Sequence, residues 1–257
     1  MRASIFPLYF FNRAYYRDAY GEHIYLSDGG HSENLGAWSL VRRQCEQIII
    51  VDAEYDPNYT FEAYFKLKRA LGQEMNVSFA LDEDPASKIE IDKIPAQIDE
   101  SRKMANINDP PGPFPDLYNP ANPVLHGTIG PFPYIKNDGT VGLRSIDVVY
   151  IKLALDGDRV KKMALTDRPA TDKEYGKAAV DYYLKTINNS CEKRPPVYAD
   201  LFIQCHFPHY DTKHQSYAPE QFAAYVDLGE HTVSSHIKYD TDEARLAILK
   251  RALKDIQ

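Results

Sequence analysis

The sequence predicts a single α/β domain, and three features of its 257 residues support this prediction. A short extended run, His23–Leu26, is followed by a glycine turn and by a helical pattern that reaches about Arg43. The run Ile48–Val51 contains four β-branched residues without alternation, which indicates a strand buried on both faces, as in a parallel sheet. Strand, turn, helix and strand in this order are typical of a β-α-β unit.

The composition indicates a folded protein with an acidic surface. Aromatic residues make up 12% of the chain, which argues against disorder. The formal net charge of −7 leaves no basic surface for a phosphate backbone, so we expect no nucleic-acid partner. The longest apolar stretches, Ser4–Phe11 and Ile48–Val51, are much shorter than the roughly 20 residues of a membrane-spanning helix. Three scattered cysteines suggest no disulfide framework, and therefore a cytoplasmic location.

The middle of the chain combines a helical pattern with a proline-rich interval. Thr60 is predicted to open a helix that ends at Gly72, and Met75–Leu81 is predicted to form a strand. Ten of the 17 prolines lie between Pro85 and Pro133. The interval of about 82–133 is therefore expected to be an irregular insertion over one face of the domain.

Regular patterns return after this interval. They predict a strand at Val148–Leu155 and helices at Lys173–Ile187 and Gln221–Leu228. Pro219 stands at a favourable first helical position, and Gly229 is placed near the end of that helix.

The last predicted helix begins at Asp240 or Thr241 and runs through Ile256. It is amphipathic, because Leu246, Leu249 and Leu253 share one face.

The turn after the first predicted strand is the strongest candidate for a functional site. Asp28 lies at the carboxyl end of that strand, where open α/β sheets place their reactive groups. Gly29 and Gly30 allow backbone angles that other residues avoid, and let another segment approach closely. An ordinary Asp-Gly turn between a strand and a helix would have the same local sequence.

Longer motifs separate these two interpretations. The run from Tyr25 to Pro57 combines Asp28-Gly29-Gly30 with Glu33-Asn34-Leu35-Gly36 and Val51-Asp52-Ala53-Glu54. This combination closely resembles the C-terminal part of bacterial patatin-like phospholipases. A second block resembles the distal stretch of that family, and its matching residues are Phe207-Pro208-His209, Thr212, Gln215, Gln221-Phe222, Tyr225 and Leu228-Gly229. The family typically has Ser and Asp where this chain has Asp211 and His214.

The resemblance implies a three-layer α/β/α fold, with residues 1–257 as the C-terminal part of a patatin-like domain. Members of the family hydrolyse carboxylic esters of lipids, such as phospholipids or acylglycerols, with a Ser-Asp dyad. Asp28 matches the dyad aspartate, and Gly29 and Gly30 would shape the site around it. The resemblance implies no cofactor and no metal ion.

The nucleophile of the family is a serine in a Gly-x-Ser-x-Gly elbow, and this sequence contains no such elbow. Its only Gly-x-Ser triplet is Gly30-His31-Ser32, which Asn34 follows two positions later, so Ser32 is interpreted as a helix cap. We therefore expect the chain to be a fragment that is inactive alone and that needs an upstream segment to supply the serine. The alternative is a non-catalytic binding module that kept the fold.

The expected partners follow from this interpretation. They are a lipid or ester substrate, the serine-bearing segment and, through the first strand, a second copy of the chain. Peripheral membrane contact is compatible with the family, since many of its members carry membrane segments upstream.

A metal-dependent hydrolase remains a third hypothesis. Asp52, Glu54 and Asp56 alternate after a predicted strand and could bind magnesium or calcium, although a solvated strand end before a helix is the preferred explanation. The second group of metal-ligand types is Cys205, His206, His209, Asp211 and His214. Zinc prefers such donors, but Pro208 interrupts their spacing and Cys205 follows an apolar run typical of a core.

Overall fold

The computed structural model describes residues 33–82, 90–104, 117–136, 138–165, 175–188, 207–210 and 217–236. Within these ranges the chain has a mixed α/β fold built on a four-stranded sheet. The first predicted strand and the final predicted helix lie outside the described residues.

The strands are β1 Gln47–Asp52, β2 Ser78–Leu81, β3 Val124–Ile135 and β4 Val141–Lys152. The helices are α1 Trp38–Arg42, α2 Glu62–Met75, α3 Ile94–Met104, α4 Gly157–Leu165, α5 Lys177–Asn188 and α6 Pro219–His236. A short 3-10 turn, Ile91–Lys93, precedes α3. No helix of the described residues is long and apolar enough to cross a membrane.

The sheet has the strand order β1-β4-β3-β2. β1 pairs with β4 in parallel, and the other two pairs are antiparallel. The predicted parallel pairing of the run Ile48–Val51 is therefore confirmed, but its predicted burial on both faces is wrong. Ile48 and Ile50 are buried, whereas Ile49 and Val51 are 57% and 62% exposed. The alternation arises because the core that contains Ile48 and Ile50 lies on one face of the sheet.

The main core lies between that face of the sheet and α2. Aromatic and aliphatic side chains fill it, and its largest members are Phe61, Tyr64, Leu67, Leu71, Phe79, Ile129, Ile146 and Tyr150. A second core surrounds α5 and α6. Helix α6 begins at Pro219, as predicted, but continues beyond Gly229 to His236.

The helix expected from Ser32 to Arg43 begins only at Trp38, and Ser32 lies outside the described residues. Gly36 has a left-handed φ of +66°, which interrupts helical geometry. The carboxylate of Glu33 accepts hydrogen bonds from the backbone N–H groups of Leu35 and Trp38. Glu33 therefore supplies the acceptor that the sequence had assigned to a serine.

The predicted end of the second helix is also wrong. α2 continues through Gly72 to Met75, and Asn76 then adopts a left-handed φ of 54°. Asn tolerates this conformation better than most residues, so it can end a helix where glycine is absent. The strand that follows is shorter than expected and occupies Ser78–Leu81.

The described parts of the proline-rich interval include regular elements, where its composition suggested an irregular excursion. It contains α3 and most of β3, a central strand. Pro131 lies at a register irregularity between Ile129 and Phe132, where the hydrogen bonding of the ladder is already interrupted. A Cβ atom on Gly127 would lie 2.3 Å from the carbonyl oxygen of Ala80, so glycine is needed where β2 and β3 approach.

Candidate functional site

A buried group of charged side chains lies at the carboxyl end of β1. The parallel register places Asp52 directly opposite Lys152 at the ends of β1 and β4. Neither side chain is exposed, and Asp56, just beyond β1, is 4% exposed. Buried charges of this kind require partners, because desolvation strongly disfavours an isolated ion. We call Asp52, Asp56 and Lys152 the buried charge cluster.

Lys152 is the cation of the buried charge cluster. Its Nζ atom lies 2.9 Å from Oδ2 of Asp52 and 2.8 Å from Oδ2 of Asp56. The same ammonium lies 5.0 Å from the ring centroid of Phe61. Burial favours the neutral amine, but the two carboxylates outweigh it and raise the pKa of Lys152. Lys152 is therefore charged at neutral pH.

Asp56 joins the buried charge cluster to the start of α2. Its Oδ1 atom accepts hydrogen bonds from the backbone N–H of Thr60 at 2.7 Å and from the Thr60 hydroxyl at 2.9 Å. Its Oδ2 atom accepts the N–H of Phe61 at 2.9 Å. Burial alone would raise the pKa of Asp56, but the charge of Lys152 and these donors lower it. The carboxylate thus fixes Thr60 and Phe61, the two residues that precede α2.

Asp52 joins the two parallel strands. Its Oδ1 atom accepts the backbone N–H of Glu54 at 3.1 Å. Its Oδ2 atom accepts the hydroxyl of Tyr150, two residues before Lys152 on the same face of β4. Burial and the charge of Asp52 raise the pKa of Tyr150. Tyr150 therefore acts as a neutral donor to this carboxylate.

Glu54 connects this edge of the sheet to the segment that follows the Asp-Gly-Gly motif. One carboxylate oxygen accepts the N–H of Ala63 at 2.9 Å, and the other lies 3.4 Å from Nδ2 of Asn34. Burial raises the pKa of Glu54. Asn34, which precedes α1, therefore lies beside the segment that follows the carboxyl end of β1.

His209 reaches the same region from the second core. Its ring is 4% exposed and meets the ring of Tyr59 edge-on, with centroids 5.2 Å apart. Its Nδ1 atom lies 3.5 Å from the carbonyl oxygen of Glu54. Burial, and then the charge of Lys152, lower the pKa of His209 to about 4, so the ring is neutral at pH 7. Among the described atoms its Nε2 has no hydrogen-bond partner, and neither does the hydroxyl of Tyr118.

The buried charge cluster is better suited to hold structure than to transfer protons. Lys152 has a raised pKa and Asp56 a lowered one, so each favours its charged form at neutral pH. Their charges neutralise each other across hydrogen bonds, and both are closed off from solvent. The cluster therefore fixes β1, β4 and α2 relative to one another at the edge of the sheet.

The structure locates only part of the sites expected from the sequence. Asp28, Gly29 and Gly30 lie outside the described residues, as do Cys205, His206, Asp211 and His214. The acidic group Asp52, Glu54 and Asp56 is mostly paired rather than solvated. Asp52 and Asp56 share the ammonium of Lys152. Within the described ranges, no three His, Cys, Asp or Glu side chains are arranged to hold a metal ion.

Reasoning from the sequence missed Lys152 and Tyr150. A signal for them exists in the alternation of β4, where positions 146, 148, 150 and 152 all face the core. A lysine at the last inward position of a strand, beside the inward Asp52 of a parallel neighbour, predicts a buried ion pair.

Comparison of the chain with protein-family models, with curated proteins and with solved structures finds no match. The resemblance to patatin-like phospholipases therefore rests on the sequence motifs.

Proposed function

We propose that this chain is the aspartate-bearing C-terminal part of a patatin-like lipid acyl hydrolase with a three-layer α/β/α fold. The observation that carries the proposal is the contact between Asn34 and Glu54, 3.4 Å apart at the carboxyl end of β1. Open α/β sheets bind their ligands at this edge. Asn34 belongs to the same matching run as Asp28, and the contact brings Asn34 to the edge where a catalytic carboxylate would be useful.

The length of the intervening chain supports the same conclusion. Gly30 precedes Asn34 by four residues, which span at most about 14 Å when fully extended. If the turn of the motif lies at the carboxyl end of β1, as we propose, these four residues are long enough to reach it from Asn34. A glycine turn at that position would leave room for a second segment to approach the Asp28 carboxylate.

In the proposed reaction, the Asp28 carboxylate accepts the hydroxyl proton of a serine as the serine oxygen attacks the ester carbonyl carbon. The bond to the leaving alcohol then breaks, and Asp28 returns the proton to that alcohol. Water attacks the acyl-serine in a second step, with Asp28 again accepting the proton. The bond between the serine oxygen and the acyl carbon then breaks, Asp28 returns the proton to the serine oxygen, and the carboxylic acid leaves. Aspartate has an ordinary pKa near 3.9 and is a weak base at neutral pH. Its position and an oxyanion hole must therefore supply much of the rate.

The serine and the oxyanion hole are proposed to come from a polypeptide segment other than residues 1–257. The substrate class is a carboxylic ester of a lipid, so the protein works in contact with lipid or at a membrane surface. A cytoplasmic location and a homodimer complete the proposal. No cofactor is required by this chemistry.

The buried charge cluster has a supporting role in this proposal. It fixes the end of β1, and Glu54 follows Asp52 by two residues while bonding the first turn of α2. Asn34 is linked to this part of the fold through its contact with Glu54. A rigid attachment matters because catalytic groups lose rate when they are misplaced by as little as 1 Å.

The test joins this chain with a segment that carries Gly-x-Ser-x-Gly, either in one polypeptide or by co-expression. Hydrolysis of p-nitrophenyl esters and of phospholipid vesicles is then measured. Asp28→Asn is expected to lower kcat/KM by about 10²–10⁴-fold, the usual contribution of a general base. Asp99→Asn is the matched control, because Asp99 is exposed on α3 and its loss should leave the rate unchanged.

Two results would count against the proposal. An unchanged rate in Asp28→Asn would remove Asp28 from the reaction. Lipid binding without any hydrolysis, in the presence of an intact serine elbow, would favour the non-catalytic binding module.

A further inference from the structure

Helix α6 carries an apolar stripe on its solvent side. Phe222, Val226 and Val233 are 63%, 52% and 39% exposed. Together with Gly229 they recur at intervals of four, three and four residues, so they lie along one side of the helix. The opposite side of α6, with Ala224 and Leu228, is buried in the second core. α6 therefore has two apolar faces, and only one of them is covered within the described part of the chain.

The sequence directly after α6 contains a matching stripe. Leu246, Leu249, Leu253 and Ile256 follow one another at intervals of three, four and three residues. These residues lie outside the described ranges, and their spacing predicts one apolar face of a helix. The stripe of α6 has steps of four, three and four residues, and the stripe of 246–256, followed in the opposite direction, has steps of three, four and three. Alternating steps of three and four residues are typical of packed helices.

We propose that residues 241–256 form a helix that packs antiparallel along the exposed stripe of α6. The connection would be residues 237–240, and helical hairpins commonly use loops of two to five residues. This short connection limits the register. It sets Val233 opposite Leu246 and Val226 opposite Leu253. The two residue numbers of each pair add up to 479, as one antiparallel register requires. Gly229 would face Leu249, where the missing side chain lets the two helices approach.

The charges of α6 favour residues 241–256 as the segment that covers the stripe, rather than a second copy of the chain or a membrane surface. α6 has three acidic residues, Glu220, Asp227 and Glu230, and neither lysine nor arginine. Glu220 pairs with Lys185, and Asp227 accepts the N–H of Ala179. A second copy of α6 would bring the Glu230 side chains of two molecules together, and an anionic membrane surface would repel them. The segment 241–256 has four basic residues, Arg245, Lys250, Arg251 and Lys254, and three acidic ones, Asp242, Glu243 and Asp255.

The register predicted by the apolar residues also pairs two specific charges. Glu230 lies next to the stripe on the same flank as Ala223, and Lys250 lies next to Leu249 on its own stripe. In an antiparallel pair these flanks meet, which sets Glu230 opposite Lys250. The register set by the apolar residues is therefore also compatible with the charges beside them.

Cysteine cross-linking in the full chain tests the proposal. Under mild oxidation, Val226→Cys combined with Leu253→Cys should form an intramolecular disulfide, which mass spectrometry of the digested protein would detect. Val226→Cys combined with Lys254→Cys is the matched control, because residue 254 is rotated by about 100° from residue 253 around the proposed helix. We expect about tenfold less cross-link in the control, since disulfides require Cα atoms within about 7 Å. The native cysteines are controlled for with the single variants.

Equal cross-linking in the two variants would overturn the proposal. A disulfide found only between two molecules would instead identify a second copy as the occupant. A charge exchange provides an independent readout that leaves the stripe intact. Glu230→Lys and Lys250→Glu should each speed hydrogen exchange of the α6 amides, and the double variant should restore slow exchange. Additive effects in the double variant would also contradict the proposed register.

Discussion

The Nζ atom of Lys152 lies 2.9 Å from Oδ2 of Asp52, and neither side chain is exposed to solvent. The pair joins the ends of two parallel strands at the edge of the sheet where α/β proteins bind ligands. Asp56 adds a second carboxylate at 2.8 Å and brings in the start of α2. Without Lys152, the two carboxylates lose the cation that they share in a dry environment.

Replacing Lys152 with methionine should therefore destabilise the protein strongly. Methionine fills similar space, but Asp52 and Asp56 then face each other as buried like charges. We expect the free energy of unfolding at pH 7 to fall by about 3–5 kcal/mol, measured by urea denaturation. Lys66→Met is the control, because Lys66 and Glu62 form an exposed pair within α2 that should contribute about 0.5 kcal/mol or less. Similar losses in the two variants would show that the buried pair is not a major source of stability.

The neutral ring of His209 should make stability depend on pH. Its pKa is about 4 in the folded protein and near 6.5 when unfolded, so the unfolded chain takes up a proton first as pH falls. Stability is therefore lost between about pH 6.5 and 4, by up to about 3 kcal/mol from this group. His209→Phe keeps an aromatic ring against Tyr59 and should flatten the pH dependence in this window.

The measurement compares the free energy of unfolding of the wild type and His209→Phe at several pH values. His126→Gln is the control, since His126 is exposed on β3 and should leave the slope unchanged. A wild-type slope that persists in His209→Phe would assign the pH dependence to other groups.

Two buried tyrosines should respond in opposite ways to loss of the hydroxyl. The hydroxyl of Tyr150 donates to the Asp52 carboxylate, so Tyr150→Phe should cost about 1.5–3 kcal/mol. The hydroxyl of Tyr118 is buried without a partner among the described atoms, so Tyr118→Phe should be neutral or stabilising. Thermal and urea denaturation of the two variants would measure this difference. A comparable loss in Tyr118→Phe would reveal a hydrogen bond, for example to a buried water.

The sequence predicted the existence of β1 and its parallel pairing because local apolar runs report strands directly. It could not predict that Ile49 and Val51 are exposed, since burial depends on what the rest of the chain places over each face. The proline content of 82–133 misled for a related reason. A proline at a register irregularity, such as Pro131, removes no hydrogen bond that the strand needs.

The candidate site, like the fold, could be predicted only in part from the sequence. Asp52 and Asp56 were recognisable as acidic residues after a strand, but their partner is 100 residues away from Asp52 in sequence. Only the register of β1 against β4 brings Lys152 beside them. Long-range pairing of this kind has no local signal, so the sequence could suggest a metal or a solvated end where the fold provides an ammonium.

Gly72 offers the last test, because the sequence and the structure assign it different roles. As a helix end, it would need a left-handed backbone and would not tolerate alanine. In the structure it lies inside α2, and an added Cβ would meet its nearest neighbour, the carbonyl oxygen of Val77, at 3.9 Å. Gly72→Ala should therefore stabilise the protein by about 0.5–1 kcal/mol, the usual advantage of alanine within a helix.

Gly139 provides the matched comparison for that substitution. A Cβ on Gly139 would also meet open space, but its backbone has a left-handed φ of +80°. Gly139→Ala should therefore lower the free energy of unfolding by about 1 kcal/mol or more, because alanine is strained in this conformation. The two substitutions differ in backbone conformation rather than in available space. If Gly72→Ala destabilised the protein as much as Gly139→Ala does, α2 would end at Gly72 in solution.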